Sequence, residues 1–132
     1  MSSGNSYISM RMLCITTLAL GLAACEKEQR MTVRATAFNS TRAQTDSRPT
    51  QSSCGDKLVP GNKVIAVSSD LADKGLTCGT EISIEGLEGK WTVVDRTSAR
   101  HKNQIDIYMG RDIKAARKFG VQEVEIVWRE ER

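Results

Sequence analysis

Two aspartates eleven residues apart are the residues of this chain best placed to do chemistry: Asp95 ends the run Val93-Val94-Asp95-Arg96, and Asp106 lies inside Ile105-Asp106-Ile107-Tyr108. In a strand, successive side chains point to opposite faces, so Asp106 faces away from Ile105 and Ile107. A carboxylate embedded in apolar residues is costly unless it is paired or lines a cleft. A cleft-lining carboxylate suits general acid/base work. The competing reading is structural: Asp106 caps a turn or bridges an arginine. Between the two aspartates runs Arg96-Thr97-Ser98-Ala99-Arg100-His101-Lys102-Asn103. Its Arg96, Arg100 and Lys102 are candidate partners for anionic groups, against the alternative of a solvated charged loop. His101, the one histidine, reads as an exposed loop residue, with a catalytic role as the lesser alternative.

Short strands must hold these residues in place. β-Branched and alternating patterns predict strands over 32–38, 63–68, 81–85, 91–95, 105–109 and 121–128. A helical turn is expected over 70–74, ended by Gly75. A helix is expected over 111–119, with Asp112 in its first turn, Lys118 in its last and Gly120 as its stop. Ile113, Ala116 and Phe119 would form its apolar stripe. The segment 39–55 is a long polar loop, of a length that is usually functional or pinned. A weak internal echo relates strand 63–68, helical turn and strand 81–85 to strand 105–109, helix and strand 121–128. Two such interlocked halves would close a small, mainly β barrel of six strands with one or two short helices, and closure removes exposed edges.

Composition sets the outer bounds. The chain has 132 residues, enough for one domain, with 39% hydrophobic and 27% charged residues, which is ordinary globular usage. A formal charge of +3 from 19 basic and 16 acidic residues is too mild and too mixed for a nucleic-acid partner. One histidine and four cysteines show no zinc-ligand spacing, so neither metal nor cofactor is expected.

Residues 1–24 read as an address. Arg11 precedes an apolar run from Met12 to Ala24, too short for the ~20 residues of a membrane span. Met10 would make a more typical start than Met1. Leu22-Ala23-Ala24-Cys25 resembles the bacterial lipobox, which implies a lipidated Cys25; the alternative is an ordinary signal peptide that ends near a cysteine. With Glu26 and no aspartate after it, the sorting rule for such lipoproteins implies the outer membrane of a Gram-negative cell, facing the periplasm. Residues 25–31 would then be a short tether and 32–132 the domain. Cys54 and Cys78 remain as an even pair in an oxidising compartment, favouring a disulfide over two free thiols. Closing a loop of about 25 residues would be worth ~3.5 kcal/mol on the chain-entropy argument.

The aspartate segment resembles the 3D domain, named for three aspartates, of membrane-bound lytic transglycosylase A and of small stationary-phase and resuscitation-linked cell-wall proteins. The resemblance rests on Asp95 followed by Ile105-Asp106-Ile107-Tyr108, and extends to Ala35-Thr36-Ala37-Phe38, Val64-Ile65-Ala66-Val67, Gly79-Thr80 and Phe119-Gly120. It implies a double-psi β-barrel and peptidoglycan lytic transglycosylase activity, cleaving the bond between N-acetylmuramic acid and N-acetylglucosamine to leave a 1,6-anhydro end. By position it implies Asp106 as the acid/base, helped by Asp95, with Arg96, Arg100 and Lys102 on anionic groups of the glycan. Tyr108 and Trp91 become candidates for stacking on sugar rings, with core packing the stronger expectation for Trp91. The sequence departs from the family at Ser68, where the first aspartate would stand, leaving Asp70 as a substitute candidate for substrate binding. It departs again in the glycine-free 96–103 loop. These departures favour the alternative of a non-catalytic, expansin-like peptidoglycan-binding lipoprotein; a structural or inhibitor lipoprotein is the third reading. A monomer tethered to the membrane by its lipid is expected, with glycan strands as partner in the first two readings.

Overall fold

Valine and isoleucine recur at every second position of the strands, and those positions form the core. Ile65 and Val67, Ile82 and Ile84, Ile105 and Ile107, and Val124 and Ile126 all converge there with Val33, Ala35, Val93 and Trp128. In the computed structural model, residues 26–40 and 52–131 are described. The elements run β1 (Glu26–Phe38), β2 (Val64–Val67), α1 (Ser69–Asp73), β3 (Glu81–Ile84), β4 (Trp91–Arg96), β5 (Gln104–Tyr108), α2 (Ile113–Phe119) and β6 (Gln122–Glu131). Among the described residues, Gln29–Trp128 form one compact unit and residues 26–28 and 129–131 belong to another. The first carries the barrel core; of the second, the described residues are the outer ends of β1 and β6.

The strands close in the order β1-β5-β2-β4-β3-β6. β1 runs parallel to β5 and β2 parallel to β4, while β2–β5, β3–β4 and β3–β6 are antiparallel. The order is that of two halves, β1-β2-β3 and β4-β5-β6, related by an internal two-fold that pairs β2 with β5 and β3 with β6. The sequence echo between the halves thus corresponds to real structural equivalence.

Two expectations need correction. β1 begins at Glu26, so most of the segment expected to be a tether is strand. α2 has no buried residue, and Ile113 is 39% exposed, so the anticipated apolar stripe does not form. Only Phe119 packs against the core. α2 is instead held by its ends: Asp112 sits before the helix, where its carboxylate accepts the Ala115 N–H at 2.9 Å. Gly120 follows with φ 63°, a conformation that favours glycine. Cys25 and the signal-like residues before it lie outside the described residues, as do 41–51 of the polar loop.

Cys54 and Cys78 form the disulfide, with Cα atoms 6.0 Å apart. Each end is also hydrogen-bonded to β4: the Cys54 N–H donates to Val94 O (3.0 Å) and the Gly79 N–H to Val93 O (2.8 Å).

Candidate functional site

Ile105 and Ile107 face the core, which turns Gln104, Asp106 and Tyr108 to the outside of the barrel. The strands flanking β5 place Thr36 and Ala66 in register with Asp106. Ala66 is in turn in register with Asp95 of β4. Thr36, Asp106, Ala66 and Asp95 therefore form one row across four strands. A register shift beside Ala66 carries the pairing from Val93 to Asp95. The skipped Val94 joins Leu58 and Tyr108 in a second apolar cluster with Phe38 and Val64.

Asp106 is half-buried, and both bonds it receives fall on one oxygen. Gln104 Nε2 donates to Oδ1 at 2.8 Å, and the Thr36 hydroxyl donates to the same atom. An amide N–H can only donate, so Oδ1 is an acceptor. No donor among the described residues reaches Oδ2. Gln104 is 4% exposed and is itself fixed through Ser68. The Ser68 N–H donates to Gln104 O (2.9 Å), and the Ser68 hydroxyl accepts the Gln104 N–H (3.1 Å).

Asp95 stands two interstrand spacings from Asp106, about 10 Å between backbones, with the Ala66 methyl between them. Its Oδ1 accepts the N–H groups of Ser53 (2.9 Å) and Arg96 (2.8 Å). Ser53 Oγ also accepts the Arg96 N–H, at 3.1 Å. Asp95 thus anchors the disulfide-bearing turn to the end of β4.

Asp70 sits away from this row. Its two oxygens accept the Asn103 N–H at 3.2 and 2.9 Å, where Asn103 takes a left-handed φ of 49°. Burial works against ionisation, but hydrogen bonds from the Ser68 hydroxyl, the Asn103 N–H and the N–H groups of Asp70 and Leu71 outweigh it. They hold the Asp70 carboxyl below its ordinary value. Asp70 is a clamp on the loop that leads into β5.

Tyr108, expected to stack on a sugar, is 2% exposed. Its hydroxyl hydrogen-bonds Ser40 Oγ at 2.8 Å, and its ring lies 5.4 Å from that of Phe38. No ring face remains open. Trp91 is half-buried against the core, its Nε1 donating to Glu88 O at 3.2 Å. Arg96 at the end of β4 and Arg100 and Lys102 on the loop after it are exposed, and no ion pair engages them among the described residues. His101 is half-buried, with no hydrogen-bond partner at Nδ1 among the described residues. Among the described residues, no group of three His, Cys, Asp or Glu side chains is placed to hold a metal ion. Thr36 and Gln104 were not evident as site residues. Gln104 had a signal, since period two puts it on the face of Asp106; Thr36 had none without the β1–β5 register.

No family profile and no curated protein matches the chain. Solved structures do. The Streptomyces papain inhibitor superposes with a TM-score of 0.52 at 16% identity, over 78% of this chain and 96% of that one. The expansin of Clavibacter michiganensis gives a TM-score of 0.49 at 21% identity, over 74% of this chain. A mutant of the same expansin, in complex with cellohexaose, gives 0.49 at 20% identity. This chain spans 49% of the expansin chain, about half its length. The fold is a double-psi β-barrel. At these identities the likeness concerns the fold alone. Within the double-psi barrel, the row Thr36–Asp106–Ala66–Asp95 straddles the internal two-fold, whose exchange of β2 with β5 sets Ala66 opposite Asp106.

Proposed function

We propose that this barrel is a peptidoglycan-binding domain of the cell envelope, resembling the 3D domain in its aspartate strand, and that it holds glycan strands on the outer face of β1, β5, β2 and β4 without cleaving them. The observation that carries this reading is the division of labour among the carboxylates. Asp106 presents an unengaged Oδ2 beside a fixed amide and hydroxyl, whereas the row's second unengaged carboxylate oxygen, Asp95 Oδ2, belongs to a side chain whose Oδ1 is tied to backbone N–H groups. Asp95 is committed to the Ser53 turn and Asp70 to Asn103. An acceptor array without a second, nearby carboxylate suits the binding of sugar hydroxyls. The exposed Arg96, Arg100 and Lys102 suit carboxylates of the glycan and its peptides.

Purified sacculi test the reading. The protein should sediment with them, release no soluble muropeptides, and bind at least about tenfold more weakly as Asp106→Asn, roughly 1.4 kcal/mol. A second reading, the lytic transglycosylase, draws on the same unengaged Oδ2, because that reaction needs one acid/base group where most glycosidases need two. Mass analysis separates the two: 1,6-anhydro products that disappear in Asp106→Asn would establish the lyase and overturn simple binding.

In this reading the domain acts from the outer membrane, held by acyl chains on Cys25. Their burial contributes ~0.8 kcal/mol per CH₂. Cys25→Ala should abolish incorporation of labelled palmitate and move the protein from the membrane to the soluble periplasmic fraction. Palmitate labelling that persists in the variant would exclude Cys25 as the attachment point.

A further inference from the structure

Arg34 lies on β1 in register with Gln104, one step along the strand from the Thr36–Asp106 pair. Its N–H is fixed by Asn103 O at 2.9 Å. Val33 and Ala35 point into the core, so Arg34 and Thr36 share the outer face. The Arg34 side chain is exposed and has no hydrogen bond or ion pair among the described residues. Two residues of strand span about 6.6 Å, roughly the width of a sugar ring. The outer face therefore offers a guanidinium fork on β1 and, diagonally across on β5, an open carboxylate oxygen.

The two groups ask for different things. Asp106 accepts from hydroxyls and repels a negative charge. Arg34 supplies a planar donor pair suited to a carboxylate. A sugar that carries both would be held in one orientation, its hydroxyl on Asp106 Oδ2 and its acid directed along β1. Diagonal neighbours on adjacent strands suit an acid borne by the sugar itself. With Tyr108 buried and Trp91 packed against the core, charge and hydrogen bonds must do what ring stacking does elsewhere.

We infer that Arg34 is a specificity-determining residue that selects a sugar carrying its own carboxylate, as a lactyl ether or a uronic acid, over a neutral sugar. This rests on the glycan-binding reading and adds a residue outside the aspartate segment. The test uses titration calorimetry with a peptide-free muramyl tetrasaccharide, whose lactyl carboxylates are free, and the same tetrasaccharide with those carboxylates amidated. The wild-type protein should bind the acid form about tenfold more tightly, the scale of one charge-assisted bidentate contact. Arg34→Gln should bring the acid form down to the affinity of the amidated form and leave the latter unchanged. Arg34→Lys, which keeps the charge and loses the fork, should fall between.

Equal wild-type affinity for the two forms, or an Arg34→Gln change that weakens both alike, would overturn the assignment while leaving glycan binding intact. Failure of both forms to bind, together with no sedimentation with sacculi, would overturn the glycan reading itself. An oligouronate run in parallel names the source of the acid. Whichever acidic oligomer the wild type binds more tightly, loss of that preference in Arg34→Gln supports the same role.

Discussion

At the scale of single residues, the polarity of Asp106 depends on two donors that converge on one of its oxygens. Thr36 can be tested without disturbing the strand, because Thr36→Val keeps the β-branched shape and removes only the hydroxyl. Gln104 Nε2 would remain on Oδ1. Folding stability should change by less than about 1.5 kcal/mol, the net worth of one hydrogen bond, while affinity for sacculi falls severalfold because Asp106 loses part of its orientation. Unchanged affinity would mean that Asp106 is positioned by Gln104 alone. Asp70 gives a prediction of the opposite kind, in stability and not in binding. Its carboxyl is held below the ordinary value of 3.8 in the folded protein, so its contribution is complete above that value and is lost as the pH falls through the depressed one. Asp70→Asn should therefore destabilise the protein at pH 7 and narrow the difference from wild type below pH 3.8, as read by urea melts across pH. A difference that stays constant across that range would show that the Asn103 clamp does not depend on charge.

At the scale of elements, α2 shows how little tertiary packing a short helix needs when its ends are well made. None of its residues is buried, so its caps carry more of its stability than usual. Asp112→Ala removes the bond to the Ala115 N–H and should cost about 1 kcal/mol. Gly120→Ala meets no close atom, since an added Cβ would lie 3.9 Å from Arg117 O, yet φ is 63°. Its cost should come from the backbone, about 1–3 kcal/mol, and circular dichroism with chemical melts would read both variants. A neutral Gly120→Ala would mean that the turn relaxes to a negative φ. The Gly120 stop was legible in the sequence, because capping is local; Asp112, expected in the first turn, stands instead one residue before the helix as its cap. All six strand positions were legible as well, because alternation is local too. The failures lie where a residue's fate depends on a distant partner. Ile113 looked like one face of a stripe, but no element covers it. Tyr108 looked available for a ligand, but Ser40, 68 residues away in sequence, takes its hydroxyl. Asp106 could be recognised as a strand carboxylate in need of a partner; that the partner is Thr36, at a sequence separation of 70, follows only from the parallel β1–β5 register.

At the scale of the whole molecule, the internal two-fold gives the barrel two equivalent outer positions, and the sequence fills them differently. β5 brings Asp106 where β2 brings Ala66, so a small side chain stands between Asp106 and Asp95. The disulfide lies on the Asp95 side, joining two turns that are each already hydrogen-bonded to β4. Those backbone bonds do not need the bridge. Ser53 and Asp95 also hold the first turn independently of it. The bridge should therefore act mainly on the unfolded chain, where it closes a loop of about 25 residues worth ~3.5 kcal/mol. The double variant Cys54→Ser, Cys78→Ser should keep the native circular dichroism and bind sacculi within about twofold of wild type, under half a kcal/mol. It should also unfold at lower urea with a steeper m-value, because the unlinked chain exposes more surface on unfolding. Wild-type protein in reductant should reproduce the double variant. A loss of binding larger than the loss of stability explains would instead make the bridge part of the site, acting through the Ser53 turn on the orientation of Asp95.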